Sequence, residues 1–281
     1  MRKLLLSGLL AVAVSAAVSA CGSADATEAK PTSENAPGSL LKAGELAICI
    51  NPEYPPMEYS ETGTSGQPIG FDADSAAALA EHWGVKPRFS VSSFDGLMPA
   101  LQAKRCDLIW SGLYVNEARQ KVADASPYLL TGPALVVAKG SDTIKTPEDL
   151  SGKTLAVLAG GANEETLKKV SADLEASGKP GIKIQSYPQN MQTAAAVLNG
   201  KADALIETDV SAVDVVQKSG GKLEAGPSIF EADTQFAVYT TKGSALTADV
   251  ATGLKALADN GTLAKTAEKY SMDPTRIYQG K

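Results

Sequence analysis

Short apolar runs alternate with amphipathic stretches along most of the chain, and this alternation restricts the fold more than any other feature. Seven apolar runs predict strands over residues 46–50, 107–111, 134–138, 154–158, 182–186, 203–207 and 236–240. Between them, apolar residues recur at helical spacing in four sets: Leu97, Met98 and Leu101; Leu167, Val170 and Leu174; Met191, Ala195 and Leu198; Val250, Leu254 and Leu257. Strands that alternate with helices predict an α/β protein with mostly parallel sheets.

One unit of sequence occurs twice, once in each half of the chain. Residues 101–110 and 198–207 both consist of a helix end, a short polar turn, an Asp and an apolar strand. Two α/β lobes built on one plan would give this repetition, although so short a match also arises by chance. Ligands of open α/β sheets bind beyond the carboxyl ends of the strands. Residues 111–114 and 207–209 are therefore expected to face each other across a cleft between the lobes.

Length, charge and composition exclude several classes of function. A chain of 281 residues suggests about two domains. The net charge is −6 and no run is rich in Lys or Arg, so nucleic acid is excluded as a partner. The single histidine, His82, follows a helical pattern and is interpreted as a surface or helix-end residue. Without a Cys/His cluster we expect neither a metal site nor a cofactor.

Two cysteines lie within the apolar runs of the predicted lobes. Cys49 falls inside one predicted strand, and Cys106 lies at the start of another. Both are interpreted as small buried hydrophobic residues. An exported protein can also keep a disulfide, and the sequence leaves open whether the two are bonded.

The N-terminus has the pattern of an export signal. Arg2 and Lys3 precede an apolar stretch over residues 4–18, which is too short for a comfortable membrane span, and small residues lead to Cys21. The pattern predicts a signal peptide over residues 1–20 and resembles a bacterial lipoprotein signal, in which the cysteine receives a lipid. A plain signal peptide with an unmodified Cys21 is the alternative. Residues 21–39, poor in large apolar residues, predict a flexible tether.

A series of motifs follows in a fixed order along the chain. They are Gly44-Glu-Leu46, Tyr54-Pro-Pro-Met-Glu58, Gly70-Phe-Asp-Ala-Asp74, Phe94-Asp-Gly-Leu-Met-Pro-Ala-Leu101, Asp107-Leu-Ile-Trp-Ser-Gly112, Glu117-Ala-Arg119, Ser126-Pro-Tyr128, Asp149-Leu-Ser-Gly-Lys153 and Gly200-Lys-Ala-Asp203. In order and spacing they resemble the family 3 extracellular solute-binding proteins. The resemblance implies a two-lobed periplasmic-binding-protein fold of type II, with a ligand cleft between the lobes and two hinge crossings.

The same resemblance implies where the lobes lie and what the protein does. Lobe 1 would comprise residues 40–127 and 237–281, lobe 2 residues 133–231, and the hinges residues 128–132 and 232–236. A small solute that contacts both lobes would favour the closed form. The expected partners are that solute and the permease subunits of an ABC importer. We expect a monomer that is held to the cell membrane only by its lipid, facing the periplasm or the cell exterior.

Several residues match positions that contact the ligand in the family. Arg119 matches the residue that holds the ligand's carboxylate, a role that suits the two parallel N–H donors of a guanidinium. Ser111 and Gly112 match a loop that offers backbone and hydroxyl groups. Tyr54 and Phe94 match the positions whose rings sandwich the body of the ligand.

Other positions depart from the family pattern. Asn51 replaces an Asp that meets the side-chain cation in receptors for basic amino acids, so a basic amino acid is disfavoured. Tyr114 stands where Ser or Thr is usual. Ala162 replaces a Thr or Ser that helps to hold the carboxylate, which leaves backbone N–H groups of Gly161 and Ala162 for this role.

The most consequential departure concerns the ligand's ammonium group. Thr208 stands where the family has the Asp that binds the α-ammonium, and burial of an ammonium without an anionic partner is costly. Either Glu207 or Asp209 takes over this role, with Glu207 preferred, or the ligand lacks a primary α-amine, as a quaternary or cyclic amine with a carboxylate does. The resemblance implies that the protein is not an enzyme. The alternatives are a dehydratase-like periplasmic enzyme, with Glu207 as its only obvious acid or base, and a ligand-sensing receptor.

Overall fold

The computed structural model describes residues 36–62, 66–230 and 234–279. The predicted signal peptide, Cys21 and residues 21–35 of the predicted tether lie outside the described residues. Within these three ranges, no helix is both long enough and apolar enough to cross a membrane.

The described residues contain twelve strands and eight α-helices. The strands are β1 Glu45–Ile50, β2 Glu53–Tyr54, β3 Glu58–Tyr59, β4 Lys86–Val91, β5 Leu108–Ile109, β6 Ala123–Thr131, β7 Pro133–Ala138, β8 Thr154–Leu158, β9 Lys183–Tyr187, β10 Ala204–Thr208, β11 Leu223–Ala225 and β12 Thr234–Thr241. The helices are α1 Phe71–His82, α2 Leu97–Gln102, α3 Glu117–Val122, α4 Ala162–Ala176, α5 Asn190–Leu198, α6 Asp209–Lys218, α7 Leu246–Asp259 and α8 Thr262–Lys269. His82 is the last residue of α1, as the sequence predicts.

Two five-stranded sheets organise the fold, one in each lobe. The strand order is β4-β1-β5-β12-β6 in the first lobe and β11-β7-β10-β8-β9 in the second. In each sheet two neighbouring pairs are parallel and two are antiparallel, so the prediction of mostly parallel sheets is wrong. The antiparallel pairs arise where β6, β7 and β12 carry the chain between the lobes as extended strands. Hydrophobic periodicity does not reveal strand direction.

The sheets are buried on both faces, as expected for α/β layers. Along β1, Leu46 and Ile48 face a core cluster that includes Leu79 of α1 and Leu254 of α7. The alternate residues, such as Cys49, face the other side. In the second lobe β8 likewise contributes to a different cluster on each face.

The prediction that Met191, Ala195 and Leu198 form the buried face of α5 is wrong. Met191 is 83% exposed and Leu198 is 44% exposed, whereas Thr193, Ala196 and Val197 are buried. Small side chains let this helix approach β8 and β10 closely, and the larger residues lie on its outer side.

The chain passes between the two sheets twice. It leaves the first sheet at the end of β6 and enters the second at the start of β7, with Gly132 between them. It returns between β11 and β12, and residues 231–233 of this return lie outside the described ranges.

The repeated unit has the same hydrogen bonds in both lobes. Asp107 donates its backbone N–H to the Ala47 carbonyl (2.8 Å), and its carboxylate accepts the Ala47 N–H (2.7 Å). Asp203 makes the same two bonds to Thr154, at 2.8 and 2.7 Å. In each lobe the Asp thus ties the start of one central strand to its parallel neighbour, which explains why this residue recurs.

Cys49 and Cys106 form a disulfide, a pairing that the sequence leaves open. Pairing of β1 with β5 places Cys49 opposite Ile109 and brings the segment just before β5 beside it. Their Cα atoms are 5.6 Å apart, within the range that a disulfide spans. Both residues are buried. Fifty-seven positions separate them in the sequence, so only the sheet register reveals the pairing.

Candidate functional site

A cleft between the lobes brings together ten of the eleven residues that the sequence predicts to bind ligand. It contains about 460 Å³ of space not occupied by protein atoms, part of it open to solvent. The predicted residues in its lining are Asn51, Tyr54, Phe94, Gly112, Tyr114 and Arg119 from the first lobe, and Gly161, Ala162, Glu207 and Thr208 from the second. A lining of apolar and aromatic residues with a few polar and charged groups is typical of small-molecule sites.

Arg119 is a buried cation without an ionic partner in the described part of the chain. It lies in α3, where the Asn116 side chain caps the helix by accepting the Arg119 backbone N–H at 2.8 Å. Its Nη1 donates to the Tyr114 carbonyl (2.9 Å), and its guanidinium carbon lies 5.7 Å from the centre of the Phe94 ring. Burial lowers the pKa of Arg119, but a guanidinium remains protonated. Its charge therefore favours an anion in the cleft.

The N-terminus of α4 lies on the opposite wall of the cleft. The helix begins at Ala162, and its N-cap Gly161 offers no side-chain cap. The first N–H groups of a helix have no intrahelical acceptor and attract anions. Both Gly161 and Ala162 line the cleft, so this helix end and Arg119 face the same space.

Glu207 is a buried carboxyl group at the end of β10. Its Oε1 accepts the Thr208 backbone N–H at 2.8 Å and the Tyr54 hydroxyl at 3.2 Å. Burial raises the pKa of Glu207 to about 7 because the charged form loses hydration, and these two hydrogen bonds oppose the shift. No Lys, Arg or His among the described residues forms an ion pair with it.

The neighbours of Glu207 have different roles. Thr208 caps α6 by accepting the Ser211 N–H, and its hydroxyl also bonds to that of Tyr54. Asp209 does not line the cleft: it accepts the Thr131 hydroxyl at 2.7 Å and pairs with Arg276. Of the two acidic residues that flank Thr208, Glu207 alone faces the cleft.

Aromatic rings form the wall of the cleft in the first lobe. Tyr54 meets Phe236 edge to face with centroids 6.3 Å apart, and Tyr114 stacks on Phe236 at 5.1 Å. Gly112 has a φ of +51°, and a Cβ there would lie 2.9 Å from the Tyr54 ring. The glycine therefore permits both the left-handed backbone and the close approach of Tyr54.

Ser111 is the predicted residue that the cleft does not include. It is buried behind the lining, where its hydroxyl accepts the Asn51 N–H (2.9 Å) and donates to Glu58 Oε1 (2.7 Å). The side chain of Asn51 also has a partner within the first lobe, since its Nδ2 donates to the Ser92 carbonyl at 2.9 Å. Ser111 supports the loop and leaves contact with the cleft to its neighbours.

Sequence reasoning missed two polar residues of the lining, Asn163 and Asn190. Asn163 lies in the first turn of α4, and Asn190 begins α5. Their Oδ1 atoms and the Tyr114 hydroxyl are buried without a hydrogen bond in the described structure. Both helices follow the carboxyl ends of strands, β8 and β9, so the strand-end rule could have found them. Val157, Leu158 and Ile206 complete the lining.

Comparisons with known proteins agree with this arrangement. The profile of the bacterial extracellular solute-binding proteins, family 3, matches residues 46–273. The L-cystine-binding protein TcyJ of Escherichia coli (strain K12) is 27% identical, over 94% of this chain and 94% of that protein. The arginine-binding extracellular protein ArtP of Bacillus subtilis (strain 168) is 29% identical, over 93% and 95%. The structure of an ancestral arginine-binding protein bound to arginine superposes with a TM-score of 0.73 at 30% identity, over 81% of this chain and 98% of that one.

Proposed function

Because the chain belongs to family 3 of the bacterial extracellular solute-binding proteins, we propose that it captures an amino acid with an uncharged side chain and delivers it to an ABC importer. One observation carries this proposal: neither the buried arginine nor the buried glutamate of the cleft has an ion-pair partner among the described residues. A zwitterion supplies both missing charges. Solute binding is the activity of the family, and the alternative of an enzyme has no support among the relatives compared.

The carboxylate of the ligand would lie between Arg119 and the N-terminus of α4. The guanidinium already donates Nη1 to the Tyr114 carbonyl, which fixes its orientation and leaves other N–H groups for the ligand. A charge-assisted hydrogen bond of this kind contributes about 1.5–3 kcal/mol. Backbone N–H groups at the start of α4 would bind the second carboxylate oxygen without a side-chain hydroxyl.

The ammonium group would pair with Glu207. A cation beside this carboxyl group reverses the effect of burial and returns the pKa to a lower value, so the ligand and the ionised glutamate stabilise each other. Glu207 would thereby replace the Asp that is missing at Thr208. Asp209 is unsuited to this role, since Arg276 already balances its charge.

The side chain of the ligand would lie among rings and amides. Arg119 and Glu207 are the only Arg, Lys, His, Asp or Glu residues in the described lining. Once an α-carboxylate and an α-ammonium engage both, no charge remains for a charged side chain. The rings of Tyr54, Phe94 and Tyr114 would contact its apolar part, and Asn163 and Asn190 would bond to a polar end.

We further propose that binding closes the lobes about the two crossings. In support, Ala162 and Val210 of the second lobe pack against the core cluster of the first. The lobe limits of 40–127 with 237–281 and of 133–231, and the hinges at 128–132 and 232–236, remain part of this proposal. The closed monomer would present both lobes to the permease subunits.

The proposal includes a lipid anchor at Cys21, which would tether the protein to the cell membrane after export. The test is to express the full chain in a bacterial host and to separate membranes from the soluble fraction. Replacement of Cys21 by Ala should release the protein into the soluble fraction. Retention of the Cys21→Ala protein in the membrane fraction would refute the anchor.

A thermal-shift screen tests the proposed ligand class. The panel comprises the standard amino acids, L-cystine, glycine betaine and proline betaine, and a bound ligand raises the melting temperature in proportion to ln(1 + [L]/Kd). We expect the largest shift from a neutral amino acid and no shift from it in Glu207→Gln. Glu81→Gln, an exposed change in α1, is the matched control and should respond as the wild type does. A largest shift from a betaine or from arginine would contradict the proposed ligand class.

A further inference from the structure

A pair of carboxyl groups lies behind the cleft, and neither has a counter-ion. Glu58 is 1% exposed and Asp72 is 0% exposed, and the two side chains contact each other. No Lys, Arg or His in the described ranges forms an ion pair with either. The titratable groups that face the pair are the hydroxyls of Tyr54 on β2 and Tyr128 on β6, and Glu207 lies beyond Tyr54. Two adjacent buried carboxylates of this kind cannot both be ionised.

Each member of the pair holds one residue of the same loop. Glu58 Oε1 accepts the Ser111 hydroxyl at 2.7 Å, and Asp72 Oδ2 accepts the Gly112 backbone N–H at 2.7 Å. Ser111 in turn accepts the Asn51 N–H. The pair therefore positions the loop of Ser111 and Gly112, and Gly112 lines the cleft.

The surroundings of the two groups differ in a way that determines which of them carries the proton. Asp72 accepts two donors, the Gly112 N–H and the Tyr128 hydroxyl, the latter at 2.8 Å from both oxygens. It also lies in the first turn of the twelve-residue helix α1, where a negative charge is favoured. Glu58 has one donor, and its Oε2 is buried with no donor in the described structure. Protonation of Glu58 supplies the missing hydrogen bond, because the protonated carboxyl group donates to Asp72.

We propose that Glu58 is a neutral acid at physiological pH, that it donates its proton to an ionised Asp72, and that this pair is the positioning element of the Ser111–Gly112 loop. The pKa shifts of both groups agree with a proton on Glu58 and a charge on Asp72. Burial first, and then the charge of Asp72, raise the pKa of Glu58 well above its usual range. Burial also raises the pKa of Asp72, to about 7, while hydrogen bonds from Tyr128 and Gly112 limit the shift. The link to ligand binding rests on the function proposed above, but the proton's location does not.

Infrared spectroscopy of the protein without ligand tests the assignment. At about pH 8.5, above the pKa of about 7 of Glu207 and Asp72, one band of a neutral carboxyl group should remain. It should disappear in Glu58→Gln and persist in Glu207→Gln. The absence of the band in the wild type, or its survival in Glu58→Gln, would overturn the proposal. Since no ligand is present, this result is independent of whether the protein binds an amino acid.

Thermal unfolding supplies a second test. Glutamine imitates a neutral acid, so Glu58→Gln should melt within about 2 °C of the wild type at neutral pH. Asp72→Asn loses the charged acceptor and should melt about 4–10 °C lower. In the wild type Glu58 is ionised in the unfolded chain above about pH 4.5 but still neutral in the folded protein, so stability should fall as the pH rises from that value, and Glu58→Gln should lack this part of the fall. Equal losses in the two variants, a larger loss in Glu58→Gln, or the same pH profile of stability in Glu58→Gln and the wild type would overturn the proposal.

Discussion

The Tyr54 hydroxyl lies 3.2 Å from Glu207 Oε1, and this hydrogen bond joins the two lobes across the cleft. The same hydroxyl also bonds to the side chain of Thr208. One tyrosine of the first lobe therefore contacts both residues at the end of β10 in the second. The affinity of the cleft for its ligand should depend on these contacts, because they exist only when the lobes are close.

Replacement of Tyr54 by Phe should weaken ligand binding by about 3- to 10-fold, because it removes inter-lobe hydrogen bonds and keeps the ring. The probe is the amino acid with the largest thermal shift, and the measurement is titration calorimetry. Tyr187→Phe is the control, since its hydroxyl bonds within the second lobe, to Gln185 at 2.8 Å. Equal affinities in Tyr54→Phe and Tyr187→Phe would contradict a closing role for Tyr54.

Ligand affinity should fall as the pH drops below about 7, because Glu207 must be ionised to pair with an ammonium group. Each pH unit below that value should cost up to about tenfold in affinity. In the protein without ligand, the stability of the folded state has the opposite pH dependence. The raised pKa of Glu207 favours the folded state at low pH, and this contribution is lost as the pH rises from about 4.5 through about 7.

Calorimetry between about pH 5 and pH 8 measures this dependence, and buffers of different ionisation enthalpy should reveal proton release on binding. The protonation of Asp72 falls in the same range, so the Glu207→Gln variant separates the two groups. An affinity of the wild type that does not change between pH 5 and pH 7 would show that Glu207 does not bind the ammonium group.

The disulfide between Cys49 and Cys106 should stabilise the first lobe by up to about 4 kcal/mol, since it closes a loop between positions 57 apart in the chain. Urea unfolding with and without a reductant measures this effect. The reduced protein should unfold at a lower urea concentration with little change in slope. Identical midpoints for the oxidised and reduced proteins would mean that the bond contributes no stability.

Arg276 and Asp209 form the one ion pair between the lobes in the described ranges. Asp209 also accepts the Thr131 hydroxyl beside the first crossing, so the pair should favour the closed form. Arg276→Gln should weaken binding about two- to fivefold, consistent with a partly exposed pair worth at most about 1 kcal/mol. Lys255→Gln, which breaks a pair with Asp259 inside α7, should leave affinity unchanged. Equal changes of affinity in Arg276→Gln and Lys255→Gln would show that the ion pair between the lobes does not favour binding.

Much of the fold follows from local pattern, and the parts that do not are those that depend on long-range register. The seven predicted strands coincide with β1, β5, β7, β8, β9, β10 and β12. Burial on both faces gives the central strands continuous apolar runs, whereas the edge strand β9 has no buried residue. β4 was missed because its residues, such as Lys86 and Arg88, are exposed or half-buried at the sheet edge. β6 was missed because Asp124, Ser126 and Pro127 interrupt its apolar residues.

The candidate site was predictable where it follows a motif. Arg119, Tyr54 and Gly112 belong to matched segments and meet in the cleft. Asn163 and Asn190 belong to none, and only the packing of both helices against the second sheet brings them together. The charge state of Glu58 depends on a neighbour fourteen positions away, on another element. No periodicity encodes a contact of this kind.

Titration calorimetry of Arg119→Ala is the most direct test of the central claim that the cleft binds an amino acid through two buried charges. The control is Arg105→Ala, which removes an exposed arginine of the same lobe. We expect Arg119→Ala to bind the best amino acid of the screen about 10- to 150-fold more weakly and to remain folded, while Arg105→Ala binds as the wild type does. Unchanged affinity in a folded Arg119→Ala protein would contradict the claim.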